Sequence, residues 1–173
     1  MLRRNILLMS GIAAVSATTL LTACGGNSDV NKDLFELVRS NNDLSVLGDA
    51  IVAANLVATF QANTSYTLFA PNNAAFVAAL AELGLTKEEL FANKPLLNAV
   101  LSYHLLPGKI NFADLLLNTP LKTVQGATLK IDNIGGTLTI TDGRARTSRI
   151  IQTNLDASNG VVHVVDKVLL PPV

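Results

Sequence analysis

Thr67-Leu68-Phe69-Ala70-Pro71-Asn72-Asn73-Ala74-Ala75-Phe76, residues 67–76, joins a strand directly to a helix. The residues up to Ala70 are β-branched, aromatic or apolar, which is typical of a strand. Pro71 has no amide hydrogen and therefore ends further strand pairing. Asn72 or Asn73 can accept a hydrogen bond from the first turn of a helix. The segment thus predicts a strand followed at once by a capped helix.

Apolar residues keep helical spacing on both sides of this segment, from Asp33 to Leu106. Gly84 is placed to end the helix that follows the quoted segment, and Thr86-Lys87-Glu88-Glu89 is a capping box that begins another. One upstream stripe follows a predicted cap at Asn42 or Asp43 and comprises Leu44, Leu47 and Ile51, continued by Leu56 and Phe60.

After Leu106 the apolar period changes to two. Thr128–Asp132 and Thr137–Thr141 alternate polar and apolar residues, Gly135-Gly136 is a turn between them, and Asp142-Gly143 turns into the next strand. Helices therefore precede antiparallel hairpins rather than alternating with parallel strands, so the predicted class is α+β.

Two more motifs lie further along the chain, Tyr103-His104-Leu105-Leu106-Pro107-Gly108 and residues 159–171, which begin Asn159-Gly160-Val161-Val162-His163. With the opening segment they resemble the three signatures of the fasciclin (FAS1) family, in order and spacing. The resemblance implies a FAS1 domain over residues 32–173: a two-sheet, mostly antiparallel β wedge with several helices packed on one side. The matching positions are Thr67, Phe69, Pro71, Phe76, Tyr103, His104, Pro107, Gly108, Asn159, Gly160, His163 and Asp166.

These motif residues have structural explanations. His163 lies among valines on its strand, so its ring nitrogens need hydrogen bonds, from a backbone carbonyl or a side chain near the first motif. Tyr103 and His104 adjoin a helix end, where they can donate to exposed carbonyls.

The N-terminus resembles a bacterial lipoprotein leader. Residues 1–23 carry Arg3 and Arg4, an apolar stretch and then Leu21-Thr22-Ala23-Cys24, which is similar to a lipobox. By that resemblance Cys24 is lipidated and residues 24–31 form a polar tether, so we expect an exported protein anchored to a membrane. Gly25 favours the outer membrane if the source is Gram-negative. An ordinary secretory peptide is the alternative.

Composition limits the partners. Cys24 is the only cysteine, so the exported chain forms no internal disulfide. Removing the two leader arginines from 13 basic side chains leaves 11 against 13 acidic ones, which argues against nucleic acid. Some animal family members have an aspartate followed by isoleucine, associated with integrin binding, where this chain has Asn154-Leu155. Because an amide lacks the charge needed by a metal-dependent receptor, no integrin-type receptor is expected.

No catalytic, cofactor or metal site is expected. The chain has two histidines, too few for a zinc site, and no serine elbow or phosphate loop. Arg144, Arg146 and Ser148 are predicted to share a strand face with Lys130 across the hairpin. That face is either a small site for anionic glycan or phosphate or, with better support, a solvated edge.

The resemblance implies a non-catalytic adhesion module for a protein or polysaccharide partner. The alternative is a carrier of an apolar molecule such as a pigment or lipid, since some family members bind pigments and 49% of the residues are hydrophobic. A solvent-open pocket lined by apolar side chains would favour the carrier.

Overall fold

The computed structural model describes residues 32–117 and 119–172. The helices are α1 Leu34–Ser40, α2 Ser45–Ala53, α3 Val57–Phe60, α4 Asn73–Leu83, α5 Lys87–Ala92, α6 Lys94–Tyr103 and α7 Phe112–Leu115, with a 3₁₀-helix at Asn42–Leu44. The strands are β1 Tyr66–Pro71, β2 Leu105–Pro107, β3 Leu121–Lys122, β4 Thr128–Ile134, β5 Thr137–Thr141, β6 Thr147–Ala157 and β7 Gly160–Val165. Helices dominate the first half and strands the second, which confirms the α+β class.

The leader, the lipidation at Cys24 and the tether were predicted for residues 1–31, which lie outside the described residues. Within the described ranges, no helix has the length and apolar character needed to cross a membrane.

The strands form one hydrogen-bonded order, β2-β1-β7-β6-β5-β4-β3. β1 and β7 are parallel, and the other pairs are antiparallel. β6 pairs with β5 through Thr147–Arg149 and with β7 through Ile150–Ala157, with two register shifts in the second part. Bulges of this kind bend a strand. The two expected sheets are therefore two halves of one continuous seven-stranded sheet, and β6 belongs to both halves.

Two apolar clusters lie on opposite faces of β1 and β7. Leu68 and Val162, which pair across the two strands, belong to the cluster formed with the helices. Phe69 belongs to the second cluster, with Leu129 and Ile140 of β4 and β5. Because successive side chains of a strand point to opposite faces, β1 and β7 are buried on both sides. The motif residues on these strands therefore lie at the centre of the domain.

Local capping follows the sequence in most places. Asn72 caps α4 by accepting from the Ala75 N–H at 2.8 Å, and Gly84 ends that helix with φ 63°. The predicted cap at Asn42 or Asp43 is wrong, because Asn41 accepts the first hydrogen bond there, from the Asp43 N–H.

The helix that contains Leu47 and Ile51 also ends earlier than its apolar stripe suggests. α2 stops at Ala53, and Asn55 adopts φ 57°, a left-handed conformation that a helix cannot continue through. Leu56 and Phe60 therefore belong to α3 and its approach, although Phe60 is buried in the same cluster.

Candidate functional site

The three motifs meet around β1 and β7. Phe69 pairs with His163 in the parallel register, and their ring centroids are 5.8 Å apart. Pro71, the last residue of β1, pairs with Val165, and Phe76 of α4 is buried in the helical cluster. Strand pairing therefore joins the β1 part of the first motif to the third motif.

The second motif is attached to β1 by Thr67. The Thr67 hydroxyl donates to the Gly108 carbonyl at 2.7 Å and accepts from the Ile110 N–H at 2.8 Å. Gly108 has φ 90°, a conformation that side chains strongly disfavour, and Pro107 pairs with Tyr66. One buried hydroxyl thus holds the turn after β2 against β1.

His163 is fully buried, with both ring nitrogens bonded to backbone groups. Nε2 lies 2.9 Å from the Ile110 carbonyl oxygen, and Nδ1 accepts from the Asn154 N–H at 3.3 Å. Because an N–H can only donate, the ring proton is assigned to Nε2. Burial lowers the pKa of His163, against the opposing effects of the Ile110 carbonyl and the Asp156 carboxylate. The structure supplies the expected backbone carbonyl, next to the second motif rather than the first.

His104 is also buried and holds the opposite tautomer. Nδ1 lies 2.7 Å from the Val100 carbonyl at the end of α6, and Nε2 accepts from the Leu169 N–H at 2.9 Å. The proton is therefore assigned to Nδ1. Burial lowers the pKa of His104 to about 4, although the Val100 carbonyl and the Asp142 carboxylate act in the other direction. The predicted contact with a helix-end carbonyl is present.

Tyr103 makes a different contact from the one expected. Its hydroxyl oxygen accepts from the Gly143 N–H at 2.7 Å, which lies in the turn before β6 rather than at the helix end. Burial raises the pKa of Tyr103, while the Gly143 hydrogen bond opposes the change. Tyr103 therefore connects α6 to a distant turn.

Asn159 and Gly160, at the start of the third motif, contact the N-terminal helices and the start of β1. Asn159 accepts from the Leu34 N–H at 2.8 Å and donates to the Phe60 and Ala62 carbonyls at 2.7 and 2.8 Å. At Gly160 a Cβ atom would lie 2.0 Å from the Tyr66 carbonyl oxygen, so no side chain fits.

Carboxylates complete this structural network. Asp166 accepts from the Arg149 N–H at 2.7 Å and from the Ser148 hydroxyl at 3.2 Å. Asp142, which sequence reasoning treated as a turn residue only, is buried and accepts from the Leu170 N–H at 3.1 Å. It also accepts from the Arg146 N–H and Nε at 2.9 and 3.1 Å. The Asp-Gly pair indicated the turn but not these long-range bonds.

The predicted arginine face does not form as a strand face. Arg144 and Arg146 precede β6, and Arg144 Nε donates to the Pro171 carbonyl at 3.1 Å. The Arg146 guanidinium donates to the Glu82 carboxylate and, at 2.8 Å, to the Val168 carbonyl. These arginines hold the C-terminal segment in place, although Arg144 is exposed to solvent and Arg146 is half-buried.

The described residues contain no group of three or more histidine, cysteine, aspartate or glutamate side chains that could hold a metal ion. At Asn154, φ is 57° and the side-chain oxygen accepts from the Phe112 N–H at 3.0 Å. Asp156, two residues on, forms an ion pair with Lys109 at 2.7 Å. Asn154 therefore attaches the start of α7 to β6, and Asp156 attaches the segment before it.

Two surface grooves lie outside the buried motif network, and the second of them borders the third motif at Asp166 and Lys167. One of about 510 Å³ is lined by Lys32, Leu37, Ser40, Asn41, Asn42, Asp43 and Leu155. Another of about 780 Å³ is lined by Ile134, Thr137, Thr139, Thr147, Arg149, Asp166 and Lys167. Both linings include charged side chains, so neither is the apolar pocket that would favour a carrier.

Comparison with known proteins gives a consistent set of matches. The family described as "Fasciclin domain" matches residues 42–171. "Protein sll1483" of Synechocystis sp. is 35% identical over 149 residues, which cover 84% of this chain and 77% of that protein. Human periostin is 33% identical over 143 residues, 81% of this chain and 16% of that protein. A solved FAS1 domain pair from the insect cell adhesion molecule fasciclin I has a TM-score of 0.50 at 19% identity, covering 78% of this chain and 43% of that one.

Proposed function

Because the chain belongs to the fasciclin domain family, we propose that it is a non-catalytic adhesion module of the cell envelope that binds a protein or polysaccharide partner. The solved FAS1 domain pair comes from a protein described as a cell adhesion molecule, which supports this class of function. Nucleic acid and an integrin-type receptor are not proposed as partners, because the surface charge is balanced and Asn154 stands where a carboxylate would be needed.

The observation that carries the proposal is that the polar side chains of the motifs form hydrogen bonds within the fold. Both ring nitrogens of His104 and of His163 are bonded to backbone groups, and Thr67 and Asn159 are likewise bonded to backbone groups. A general acid or base needs a group that can reach a substrate and exchange its proton. Since these side chains hold the fold together, recognition by the outer surface is the better supported function.

The membrane anchor is part of the proposal. Lipid on Cys24 would hold the domain at the bilayer, and the seven residues Gly25–Asn31 could extend at most about 25 Å. Tethering at a surface raises the effective concentration of the domain, so a weak contact gains strength through avidity. Gly25 favours the outer membrane of a Gram-negative cell.

Two matched strains test this proposal. Cells that lack the protein are complemented with the wild-type chain or with Cys24→Ser, which removes the acylated sulfur and leaves the domain unchanged. The wild type should sediment with membranes and restore cell attachment to matrix-coated surfaces, whereas Cys24→Ser should leave the membrane fraction. Equal membrane retention of the two would overturn the anchor, and equal attachment with and without the protein would overturn the adhesion function.

The class of partner follows from treating the coated surface. Loss of attachment after protease treatment would identify a protein partner, and loss after periodate oxidation would identify a polysaccharide. The carrier of an apolar molecule gains no support from the two grooves, whose linings include charged residues. Native mass spectrometry of the detergent-extracted protein tests it, because a carrier would show mass beyond that of the chain and its acyl groups.

A further inference from the structure

The outer face of β4, β5 and β6 carries the larger groove. Leu129, Ile131 and Leu138 point inward and are buried. The alternate residues Thr137 and Arg149 therefore point outward, since strand side chains alternate between faces. Both are exposed to solvent.

Strand pairing builds the floor of this groove. Thr139 of β5 pairs with Arg149 of β6, and its hydroxyl donates to the Asp132 carbonyl at 3.1 Å. Ile134 pairs with Thr137 at one end and is 65% exposed. Lys167 lies two residues after the end of β7, and its N–H donates to the Ser148 hydroxyl of β6 at 3.2 Å. The groove thus has hydroxyl groups at its centre, an apolar residue at one end and cations along one side.

The charge of the groove is uneven although the chain as a whole is neutral. Within the described ranges, neither the Arg149 guanidinium nor the Lys167 ammonium forms an ion pair. The acid in the lining, Asp166, already accepts from the Arg149 N–H and the Ser148 hydroxyl. On the neighbouring strand Asp132 is paired with Lys130 at 3.0 Å. Two cations therefore remain available to an anionic ligand.

We propose that this groove binds an acidic polysaccharide, an inference that rests on the adhesion function and names its partner. Carboxylates of the polymer would pair with Arg149 and Lys167, and the planar guanidinium suits a carboxylate particularly well. Thr137 and Thr147 would exchange hydrogen bonds with sugar hydroxyls, and Ile134 would pack against the C–H face of a sugar ring.

A polysaccharide fits this surface better than an acidic peptide. Extended peptides commonly bind by adding a strand to a free sheet edge. β5 is hydrogen-bonded to β4 on one side and to β6 on the other, so the groove floor has no free edge. Recognition must therefore come from side chains, and the lining offers three threonines and two cations beside Ile134 and Asp166.

The test uses the full lipidated chain in detergent and measures its affinity for polygalacturonate by calorimetry. Polygalacturonate whose carboxylates are fully methyl-esterified is the matched neutral polymer, and polyglutamate is the matched acidic peptide. Arg149→Gln and Lys167→Gln should each weaken polygalacturonate binding about two- to fivefold, and the double variant about tenfold. Lys94→Gln removes the same charge from the helical side and should bind like wild type.

Several results would overturn the proposal. They are an unchanged affinity of the double variant, equal binding of the neutral polymer, equal binding of polyglutamate, or an equal loss in Lys94→Gln. Equal melting temperatures of the variants exclude misfolding as the cause of a loss.

The attachment assay separates this proposal from the broader one. If the double variant still supports cell attachment and binds polygalacturonate like wild type, the groove is wrong while the adhesion function stands. If the wild type neither binds the polymer nor supports attachment, both are wrong.

Discussion

Acidification should destabilise this protein through His104, whose tautomer is determined by two backbone groups. Nε2 accepts from the Leu169 N–H, and Nδ1 donates to the Val100 carbonyl. Adding a proton to Nε2 would place two donors against each other in a buried site, so the folded state resists protonation.

The magnitude follows from the pKa values of the two states. The pKa of His104 is about 4 in the folded protein against 6.5 for a free imidazole, and each unit is worth about 1.4 kcal/mol. Between these values the unfolded chain binds the proton and the folded chain does not. The contribution of His104 to the free energy of unfolding is therefore fully present above pH 6.5 and is lost as the pH drops toward 4. The expected loss between pH 7 and pH 4.5 is about 2 to 3 kcal/mol.

Urea unfolding at the two pH values, compared between wild type and His104→Gln, measures this loss. The glutamine amide can donate to one backbone group and accept from the other, but it does not titrate. Carboxylates contribute equally to both proteins, so the wild type should lose about 2 to 3 kcal/mol more than the variant. An equal loss in both proteins would refute the assignment. His163, whose pKa is also lowered by burial, contributes in the same direction and remains in both.

Other substitutions test the packing of the motifs. His163→Ala leaves the Ile110 carbonyl and the Asn154 N–H without their side-chain partner. It should cost about 1 to 3 kcal/mol of unfolding free energy, and an unchanged urea midpoint would contradict this. Gly160→Ala would place a Cβ 2.0 Å from the Tyr66 carbonyl oxygen and should destabilise by several kcal/mol. Gly48 lies in α2, where an added Cβ would meet its nearest atom, Arg39 Cγ, at 3.4 Å. Gly48→Ala should therefore increase the free energy of unfolding by about 0.5 to 1 kcal/mol and raise the melting temperature. Tyr103→Phe removes the acceptor of a backbone N–H and should cost about 1 kcal/mol by thermal unfolding at unchanged secondary structure.

Features that depend on neighbouring residues were predictable from the sequence. Asn72 caps α4, Thr86 and Glu89 form the capping box, and Gly135-Gly136 separates β4 from β5. In each case the interacting groups lie within a few residues, so spacing alone brings them together. The cap before the 3₁₀-helix was predicted one or two residues too late, because Asn41, Asn42 and Asp43 are all suitable caps and local chemistry does not choose among them.

Contacts between distant residues were not predictable in this way. Arg144 and Arg146 looked like a charged strand face, yet they bond to the C-terminal segment and α4, whereas Arg149 and Lys167 line the groove. The alternation of polar and apolar residues along β6 does not predict which cation will donate a hydrogen bond to a carbonyl from a distant part of the chain.

The sequence by itself determined the α+β class, most helix ends and turns, and the motifs that resemble the fasciclin family, because these depend on local spacing and residue type. Only the tertiary structure decided how β1 pairs in parallel with β7, which backbone groups satisfy the two histidines, and which cations remain unpaired on the outer face. The physical reason is that these hydrogen bonds and charges join residues far apart in the chain, and their partners are set by how the core packs.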